Sequence, residues 1–396
     1  MGSEMCIRDR QGAKTMKLKV MTILGTRPEI IRLARVMARL DEYTQHVMVH
    51  TGQNYDYELN QIFYEELGIR DPDYFLGTGG GSLAETLGGI LVETEKVLKK
   101  EDPDAVLILG DTNSAIASVI ARRMKIPVYH MEAGNRSFDR NVPEETNRRL
   151  VDHISDFNLV YTEHARRHLL SEGLEHRRIN LTGSPMKEVL EHYRVKISES
   201  SVLSTLDLKP REFFIVSLHR EENVDSAKRL TSLISALNEL AEKYDYPIIV
   251  STHPRTRKRL DALNIDCHSS IRYMKPFGFY DYNKLQMDSF CTISDSGTIA
   301  EEASILGFPG ITPRDAIERP EAIDVGCIIM TGVNKDAIVE GVDAMTNAFY
   351  QRQEMSVSHP VPVEYCISNT SERVVNLILG TAHLSNQWDG VRSVAE

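Results

Sequence analysis

The chain has 396 residues, of which 41% are hydrophobic and 26% are charged, a composition typical of globular proteins, and this length favours two domains over one. The formal net charge of −11 argues against a general nucleic-acid-binding protein, which needs a basic surface. No apolar run approaches the ~20 residues that cross a bilayer, and the five cysteines form no CxxC pair. We therefore expect a cytoplasmic protein with reduced thiols, without membrane or nucleic-acid partners.

The first half of the chain alternates short apolar runs with amphipathic stretches. Residues 1–15 lack such a run, and we expect them to be a disordered extension. The pattern then predicts strands at Leu18–Leu24, Val47–His50, Ala105–Leu109, Pro127–His130, Phe157–Tyr161 and Ile179–Leu181, and helices at Glu29–Leu40, Asp56–Leu67, Ala84–Lys99 and Ser114–Met124. Apolar strands separated by helices indicate a parallel sheet covered on both faces. We place this Rossmann-like domain at residues 16–195.

The second half repeats this architecture after a polar segment, Lys187–Arg211, which we interpret as the domain linker. The pattern predicts strands at Phe213–Leu218, Pro247–Ser251 and Ser289–Ile293, and helices at Ala227–Glu242 and Thr298–Leu306. We place a second Rossmann-like domain at residues 196–368. A helix at Thr370–Leu379 within residues 369–396 could pack on either domain, and we expect the polar tail from Leu384 to be frayed.

The predicted fold class is α/β, with two doubly wound domains that face each other across a cleft. In such sheets ligands bind beyond the carboxyl ends of the strands. The residues that follow the predicted strands are therefore the candidates for binding and catalysis.

One candidate anion site follows the apolar run that ends at the turn Asp295-Ser296-Gly297. A helix begins there, and its first N–H groups and its dipole favour a phosphate. Glu301 and Glu302 come one turn later, where a carboxylate can reach ribose hydroxyls. The alternative is an ordinary strand–helix turn with a serine cap.

A second candidate lies after the first strand, where Gly25-Thr26-Arg27-Pro28-Glu29 opens a helix. A guanidinium at the mouth of the cleft can clamp a phosphate, so Arg27 is a candidate phosphate ligand. The alternative is a surface arginine in a loop. The three-glycine spacing of a dinucleotide-binding fingerprint is absent.

Three carboxylates follow strands or begin a helix in the first half. Asp111 follows the strongest strand, Glu132 follows the next, and Glu144 stands at a helix start in PEETNR. Carboxylates that converge on one cleft suit general acid–base catalysis, because mutual repulsion can raise one pKa toward neutrality. The alternatives are a helix cap and surface ion pairs. A divalent metal is the rival use, but hard metals require tighter acidic spacing.

The second half contributes two basic strand ends. His219-Arg220 follows its first predicted strand, and His253-Pro254-Arg255 follows the next. A single histidine of this kind is more often structural, but two such pairs indicate a binding surface for a diphosphate.

Taken together, these motifs resemble the non-hydrolysing UDP-N-acetylglucosamine 2-epimerase family. The resemblance extends from about Lys17 to Gly380 and rests, in family order, on GTRPE (25–29), GDT (110–112), EAG (132–134), PEETNR (143–148), HRE (219–221), DSG (295–297) with Glu301 and Glu302, and ERPE (318–321). It implies the two-domain fold of the GT-B glycosyltransferases, with UDP bound mainly by the second domain. It also implies a homodimer, with no metal and no nicotinamide cofactor.

The resemblance implies a reaction in which UDP is eliminated to leave a 2-acetamidoglycal and then adds back after carbon 2 is reprotonated on the opposite face. The catalytic residues that it implies are Asp111, Glu132, Glu144 and His219, with His219 close to the nucleotide. The substrate-binding and UDP-binding residues that we assign are Arg27, Arg32, Gln53, Arg148, His253, Ser296, Gly297, Glu301 and Arg319.

Departures from the family pattern point to one branch. Arg32 stands where lysine is usual, Gln53-Asn54-Tyr55-Asp56 replaces a Gln-His-Arg stretch, and Thr298 replaces a second glycine. These features, with KPFGFYDYN at 275–283, resemble the branch that epimerises UDP-2-acetamido-2,6-dideoxy-L-talose to UDP-N-acetyl-L-fucosamine for capsule or O-antigen. They put allosteric activation by substrate in doubt. The alternatives are formation of UDP-N-acetylmannosamine, a hydrolysing relative, a retaining GT-B glycosyltransferase and a non-catalytic UDP-sugar-binding protein.

Overall fold

Two parallel sheets organise the computed structural model, which describes residues 17–52, 57–252, 256, 259–260 and 266–391. The predicted extension at residues 1–15 lies outside the described residues. No helix in the described part of the chain is long and apolar enough to cross a membrane.

The first sheet has seven strands in the order β3-β2-β1-β4-β5-β6-β7. All pairs are parallel. Its strands are β1 (Lys19–Leu24), β2 (Gln45–His50), β3 (Tyr74–Phe75), β4 (Ala105–Leu109), β5 (Val128–Met131), β6 (Phe157–Val160) and β7 (Ile179–Leu181). The helices of this half are α1 (Arg27–Tyr43), α2 (Tyr57–Leu67), α3 (Leu83–Glu101), α4 (Ala117–Arg123), α5 (Pro143–Ile154) and α6 (Glu163–Ser171), with 3₁₀ turns at Asn113–Ile116 and His176–Arg178.

The second sheet has six parallel strands in the order β10-β9-β8-β11-β12-β13. They are β8 (Phe214–Ser217), β9 (Ile248–Ser251), β10 (Ile271–Met274), β11 (Cys291–Ser294), β12 (Gly310–Thr312) and β13 (Ile328–Met330). The helices of this half whose bounds the structure describes are α10 (Glu221–Val224), α11 (Ala227–Tyr244), α12 (Phe279–Asp288), α13 (Ile299–Leu306), α14 (Glu321–Asp324) and α15 (Lys335–Glu354), followed by a 3₁₀ turn at Val363–Cys366.

The predicted linker is helical, which corrects our interpretation of Lys187–Arg211 as a break in the pattern. It contains α7 (Met186–His192), α8 (Arg194–Ser198) and α9 (Val202–Thr205). Side chains up to Ile197 pack in the core around the first sheet, and those from Val202 pack against the second sheet. The domain boundary that we place between residues 195 and 196 stays a prediction.

The last helix, α16 (Thr370–Trp388), packs on the first half of the molecule. Val374, Val375 and Ile378 are buried in the core around the first sheet. The expectation of a frayed tail from Leu384 is wrong for the described residues, because the helix continues to Trp388 and Asp389 accepts a hydrogen bond from Arg178 (2.5 Å).

Both sheets reverse their strand order at one point, and these points determine where the candidate residues lie. In the first sheet the reversal separates β1 from β4, and in the second it separates β8 from β11. Crevices open at such reversals, beyond the carboxyl ends of the strands. The motifs at 25–29, 110–112, 219–221 and 295–297 all follow these four strands.

Glu29 joins two of these turns beneath the crevice of the first sheet. Its carboxylate accepts hydrogen bonds from the N–H of Gly25 (3.1 Å) and the hydroxyl of Thr112 (3.2 Å), and its side chain is buried. Burial raises the pKa of Glu29 from 4.5 to about 7, although these hydrogen bonds oppose the shift.

This pKa predicts a pH dependence of stability. The folded protein binds the Glu29 proton more tightly than the unfolded chain does. Protonation of Glu29 therefore stabilises the folded state fully below about pH 4.5, and this contribution is lost as the pH rises to about 7. The full loss amounts to about 3 kcal/mol. In the wild type, the unfolding free energy should fall between pH 5 and pH 8 as Glu29 loses its proton. In Glu29→Gln this fall should be smaller by about 2–3 kcal/mol, as measured by urea denaturation at the two pH values. Glu42→Gln, at an exposed position of the same helix, is the control, and an unchanged pH dependence in Glu29→Gln would contradict the assignment.

Candidate functional site

Asp111 lies immediately beyond β4 and is held by α5. Nε and Nη2 of Arg148 both donate to Oδ2 of Asp111, at 2.9 and 2.6 Å. The backbone carbonyl of Asp111 accepts a hydrogen bond from Asn147 (3.0 Å). Arg148 is therefore placed next to a predicted catalytic carboxylate, and Glu144 is half-buried one turn earlier on the same helix.

Glu132 follows β5 in a strained backbone conformation, with a φ of 66°. Such left-handed conformations are costly for residues other than glycine and concentrate at functional sites. Its carboxylate lies between the guanidinium groups of Arg32 and Arg319, which bind one oxygen each. The strand end and its two arginines thus place Glu132 at the boundary between the two halves of the molecule.

The pKa of Glu132 is lowered, which is opposite to the direction expected from carboxylate repulsion. Burial alone would raise this pKa, but the positive charges of Arg32 and Arg319 outweigh it. The expectation that neighbouring carboxylates raise a pKa toward neutrality is therefore wrong for Glu132. The sequence could not reveal the effect of these arginines, because Arg32 lies 100 residues from Glu132 along the chain and Arg319 lies 187 residues from it.

Glu301 completes a four-charge cluster, which we define as Arg32, Glu132, Glu301 and Arg319. Its Oε2 lies 3.1 Å from Nη2 of Arg32 and 2.7 Å from Nη1 of Arg319. Its Oε1 accepts a hydrogen bond from Ser184. Both oxygens of Glu301 are thus engaged by protein groups in this structure, so a bond to a ribose hydroxyl would require an exchange of partners.

The neighbouring Glu302 has a separate partner. Its Oε2 accepts a hydrogen bond from Gln286 on α12 (2.7 Å), and burial raises its pKa. Arg319 also donates to the carbonyl of Gly297 (2.5 Å), which ties the ERPE motif to the turn before α13.

The nucleotide side of the cleft is built around the turn after β11. Asp295 is fully buried and accepts hydrogen bonds from the N–H groups of His219 (3.0 Å) and Arg220 (3.1 Å) and from the side chain of Asn223 (3.1 Å). Nδ1 of His219 lies 3.2 Å from the same carboxylate. Asp295 thus shapes the turn, while the half-exposed His219 ring faces the cleft.

A cavity of about 140 Å³ lies between the two halves and brings together four of the predicted site residues, Arg27, Arg32, His219 and Ser296. Its lining residues come from both domains and are Arg27, Pro28, Ile31, Arg32, Phe63, Met186, Ser217, His219, Ser251, Pro276, Phe277, Gly278, Phe279, Tyr282, Asn283, Ser296, Thr298 and Glu302. The guanidinium of Arg27 also lies over the ring of Phe63, 5.4 Å from its centre.

The aromatic wall of this cavity was missed as a functional element. Phe277, Phe279 and Tyr282 come from the loop after β10 and from α12, and all three line the cavity. Planar apolar surfaces of this kind suit a nucleobase. The sequence signal is the run KPFGFYDYN at 275–283, but the apolar pattern does not predict the strand that precedes it, β10.

Two predicted residues, Gln53 and His253, lie outside the described residues. Within the described ranges, no group of three histidine, cysteine, aspartate or glutamate side chains could hold a metal ion.

Comparison with known proteins agrees with this geometry. Residues 38–379 match the family model described as UDP-N-acetylglucosamine 2-epimerase. A Methanocaldococcus jannaschii protein named UDP-N-acetylglucosamine 2-epimerase is 40% identical over 340 residues, which cover 83% of this chain and 93% of the relative. A Pseudomonas aeruginosa protein named UDP-2,3-diacetamido-2,3-dideoxy-D-glucuronate 2-epimerase is 35% identical over 328 residues, covering 82% and 91%.

Solved structures show the same relationship. The structure of UDP-N-acetylglucosamine 2-epimerase from Rickettsia bellii superposes with a TM-score of 0.88 at 43% identity and covers 95% of this chain and 100% of its own. The Methanocaldococcus jannaschii enzyme in complex with UDP-GlcNAc and UDP superposes with a TM-score of 0.84 at 37% identity, covering 91% and 99%. The chain therefore belongs to the UDP-N-acetylglucosamine 2-epimerase family of non-hydrolysing nucleotide-sugar isomerases, with the GT-B fold of two facing parallel-sheet domains.

Proposed function

We propose that this enzyme converts UDP-2-acetamido-2,6-dideoxy-L-talose to UDP-N-acetyl-L-fucosamine, for use in a cell-surface polysaccharide. The reaction eliminates UDP: the bond from carbon 1 to the diphosphate breaks, carbon 2 loses its proton, and a 2-acetamidoglycal remains. UDP then adds back to carbon 1 while a proton is delivered to the opposite face of carbon 2. The atoms balance without an external oxidant or reductant.

This chemistry requires acid–base groups on one side of the sugar and cations on the other. Asp111, Glu132 and Glu144 supply carboxylates at the first crevice. Arg27 and His219 line the cavity beside the turn at Ser296, where a departing diphosphate would be stabilised. The arrangement of carboxylates and cations across one cleft supports the elimination and re-addition mechanism.

The observation that carries the choice of sugar is the position of Arg32. Nη1 of Arg32 binds Glu132 and Nη2 binds Glu301, so two carboxylates hold the guanidinium in place and engage one N–H of each terminal nitrogen. Ile31, Phe63 and Met186 line the cavity beside it. A hydroxyl at carbon 6 would lose its hydrogen bonds to water against such an apolar wall, whereas the methyl group of a 6-deoxy sugar has no such bonds to lose. These contacts support a 6-deoxy substrate.

A second candidate is the epimerisation of UDP-N-acetylglucosamine to UDP-N-acetylmannosamine. The observation that favours it is the name shared by the Methanocaldococcus jannaschii relative and by the Rickettsia bellii structure.

Incubation of the enzyme with each UDP-sugar in deuterated water, followed by NMR at carbon 2, tests the reaction itself. Epimerisation with deuterium uptake supports the proposal. Release of UDP with a free sugar, or no change in either substrate, would contradict it.

For the carboxylates, we expect Asp111→Asn, Glu132→Gln and Glu144→Gln each to lower kcat by at least about a hundredfold, because general acid–base groups contribute about 10²–10⁴-fold. The substitutions preserve side-chain volume, so for Asp111→Asn and Glu144→Gln the dissociation constant of UDP, measured by calorimetry, should stay within about threefold. Wild-type kcat in any two of the three variants would remove the acid–base assignment.

For the substrate, we expect kcat/KM to be at least about tenfold higher for the 6-deoxy-L-talose UDP-sugar than for UDP-N-acetylglucosamine. This ratio corresponds to about 1.4 kcal/mol, which one lost polar contact can supply. Steady-state rates with both substrates measure it. Equal or greater efficiency with UDP-N-acetylglucosamine would assign the enzyme to the mannosamine-forming branch.

A further inference from the structure

Helix α5 presents three functional groups at four-residue spacing: Glu144, Arg148 and Asp152. Residues four apart lie on the same face of a helix. Glu144 is a predicted catalytic carboxylate, and Arg148 binds Asp111. Asp152, which has no role in the proposed chemistry, is fully buried on the same face.

Asp152 anchors the turn that carries Glu132. Its two carboxylate oxygens accept the backbone N–H of Gly134, each at 3.2 Å, and Oδ2 also accepts a hydrogen bond from Arg136 at 2.7 Å. Gly134 has a φ of 80°, and a Cβ at this position would lie 2.5 Å from the carbonyl oxygen of Ala165. The turn after Glu132 is therefore fixed between Asp152 on one side and α6 on the other.

Asp152 also reaches the turn that carries Asp111, through the fully buried ring of His130. Nδ1 of His130 lies 2.9 Å from Oδ1 of Asp152. On the other side of the ring, Nε2 donates to the carbonyl oxygen of Gly110 at 2.9 Å. Gly110 directly precedes Asp111, and β4 and β5 are neighbours with Leu109 opposite Met131. One carboxylate thus connects the two catalytic turns.

We propose that Asp152 and His130 are positioning residues that set the distance between Asp111 and Glu132. The proposal rests on the proposed function, because it assigns the proton transfers at carbon 2 to these two carboxylates. Neither Asp152 nor His130 lines the cleft, so their effect passes through the backbone of Gly110 and Gly134. A displacement of a catalytic group by about 1 Å can cost about a hundredfold in rate.

The chain offers a matched control for a merely structural role. Asp156 is also a buried aspartate next to β5, and it accepts the N–H of Val128 (2.8 Å) and pairs with Arg122 (2.9 Å). Val128 begins β5, at the end of the strand away from the catalytic turns. Loss of either carboxylate should lower stability, but only the loss of Asp152 should displace Asp111 and Glu132.

The experiment compares Asp152→Asn with Asp156→Asn by thermal unfolding, UDP binding and steady-state kinetics. It uses whichever of the two UDP-sugars the wild type epimerises faster. If the proposed substrate is wrong, the wild-type enzyme will prefer the other UDP-sugar. The comparison of the two variants with the wild type remains valid in that case. We expect Asp152→Asn to lower kcat at least about tenfold, with KM and the dissociation constant of UDP within about threefold. We expect Asp156→Asn to lower the Tm but to keep kcat within about twofold. Equal kcat losses in the two variants, or wild-type kcat in Asp152→Asn, would overturn the proposal.

A pair of substitutions at His130 provides a second test of the positioning role. This test also applies if Asp152→Asn does not fold. The side chain of His130→Gln retains an N–H donor for the carbonyl of Gly110, whereas His130→Phe removes it while filling the space. We expect His130→Gln to retain at least about fivefold more of the wild-type kcat than His130→Phe. Equal kcat in the two variants would contradict a positioning role through Gly110.

Discussion

The four-charge cluster of Arg32, Glu132, Glu301 and Arg319 is the interaction on which the arrangement of the two domains and the state of the active site both depend. Its members come in pairs from opposite halves of the chain, and each carboxylate contacts both arginines. All four side chains are at least nine-tenths buried. Two positive and two negative charges cancel, so the cluster can be removed from water without leaving an unpaired charge.

Because buried ion pairs repay their desolvation only with good geometry, removal of one member would cost about 3–5 kcal/mol, whereas the intact set contributes modestly to stability. The main effect of the cluster is therefore on how the two halves are arranged, because it fixes the positions of α1 and the ERPE motif relative to Glu132. It also keeps the predicted catalytic carboxylate ionised. In the proposed function, a diphosphate in the cleft would bring negative charge toward Arg32, which lines the cavity and also binds Glu132.

The part of this structure that the sequence predicts well is the part encoded locally. Ala105–Leu109 is a strand with the predicted bounds, because a continuous apolar run flanked by turn residues identifies a buried strand. Ile179–Leu181 also has the predicted bounds, although Asn180 interrupts its apolar residues. The motif turns lie where expected, since strand ends of parallel sheets meet at one edge. Strands β12 and β13, which have three residues each, are not among the predicted strands. The supposed linker contained a helical signal at Val189, Tyr193 and Ile197 that its polar composition obscured.

The charge environment of the site could not be predicted in the same way. The partners of Arg32 are 100 and 269 residues away, and no local pattern records them. The sequence identified Glu132 as one of three candidate acid–base carboxylates but did not show that two arginines lower its pKa. It also gave no sign that Asp152 and His130 connect the turns of Asp111 and Glu132, because each looks like an ordinary buried polar residue beside a strand.

The replacement of lysine by arginine at position 32 is understandable from the geometry of the four-charge cluster. Nη1 of Arg32 binds Glu132 and Nη2 binds Glu301, so one planar guanidinium connects two carboxylates that approach from opposite halves of the molecule. A lysine ammonium is a compact point charge and cannot present two donors in a fixed fork. Arginine at this position therefore makes the arrangement of the two halves more specific, and it leaves the cavity wall to apolar side chains that include Ile31, Phe63 and Met186. In the proposed function, substrate preference and domain arrangement are in this way linked through a single residue of α1.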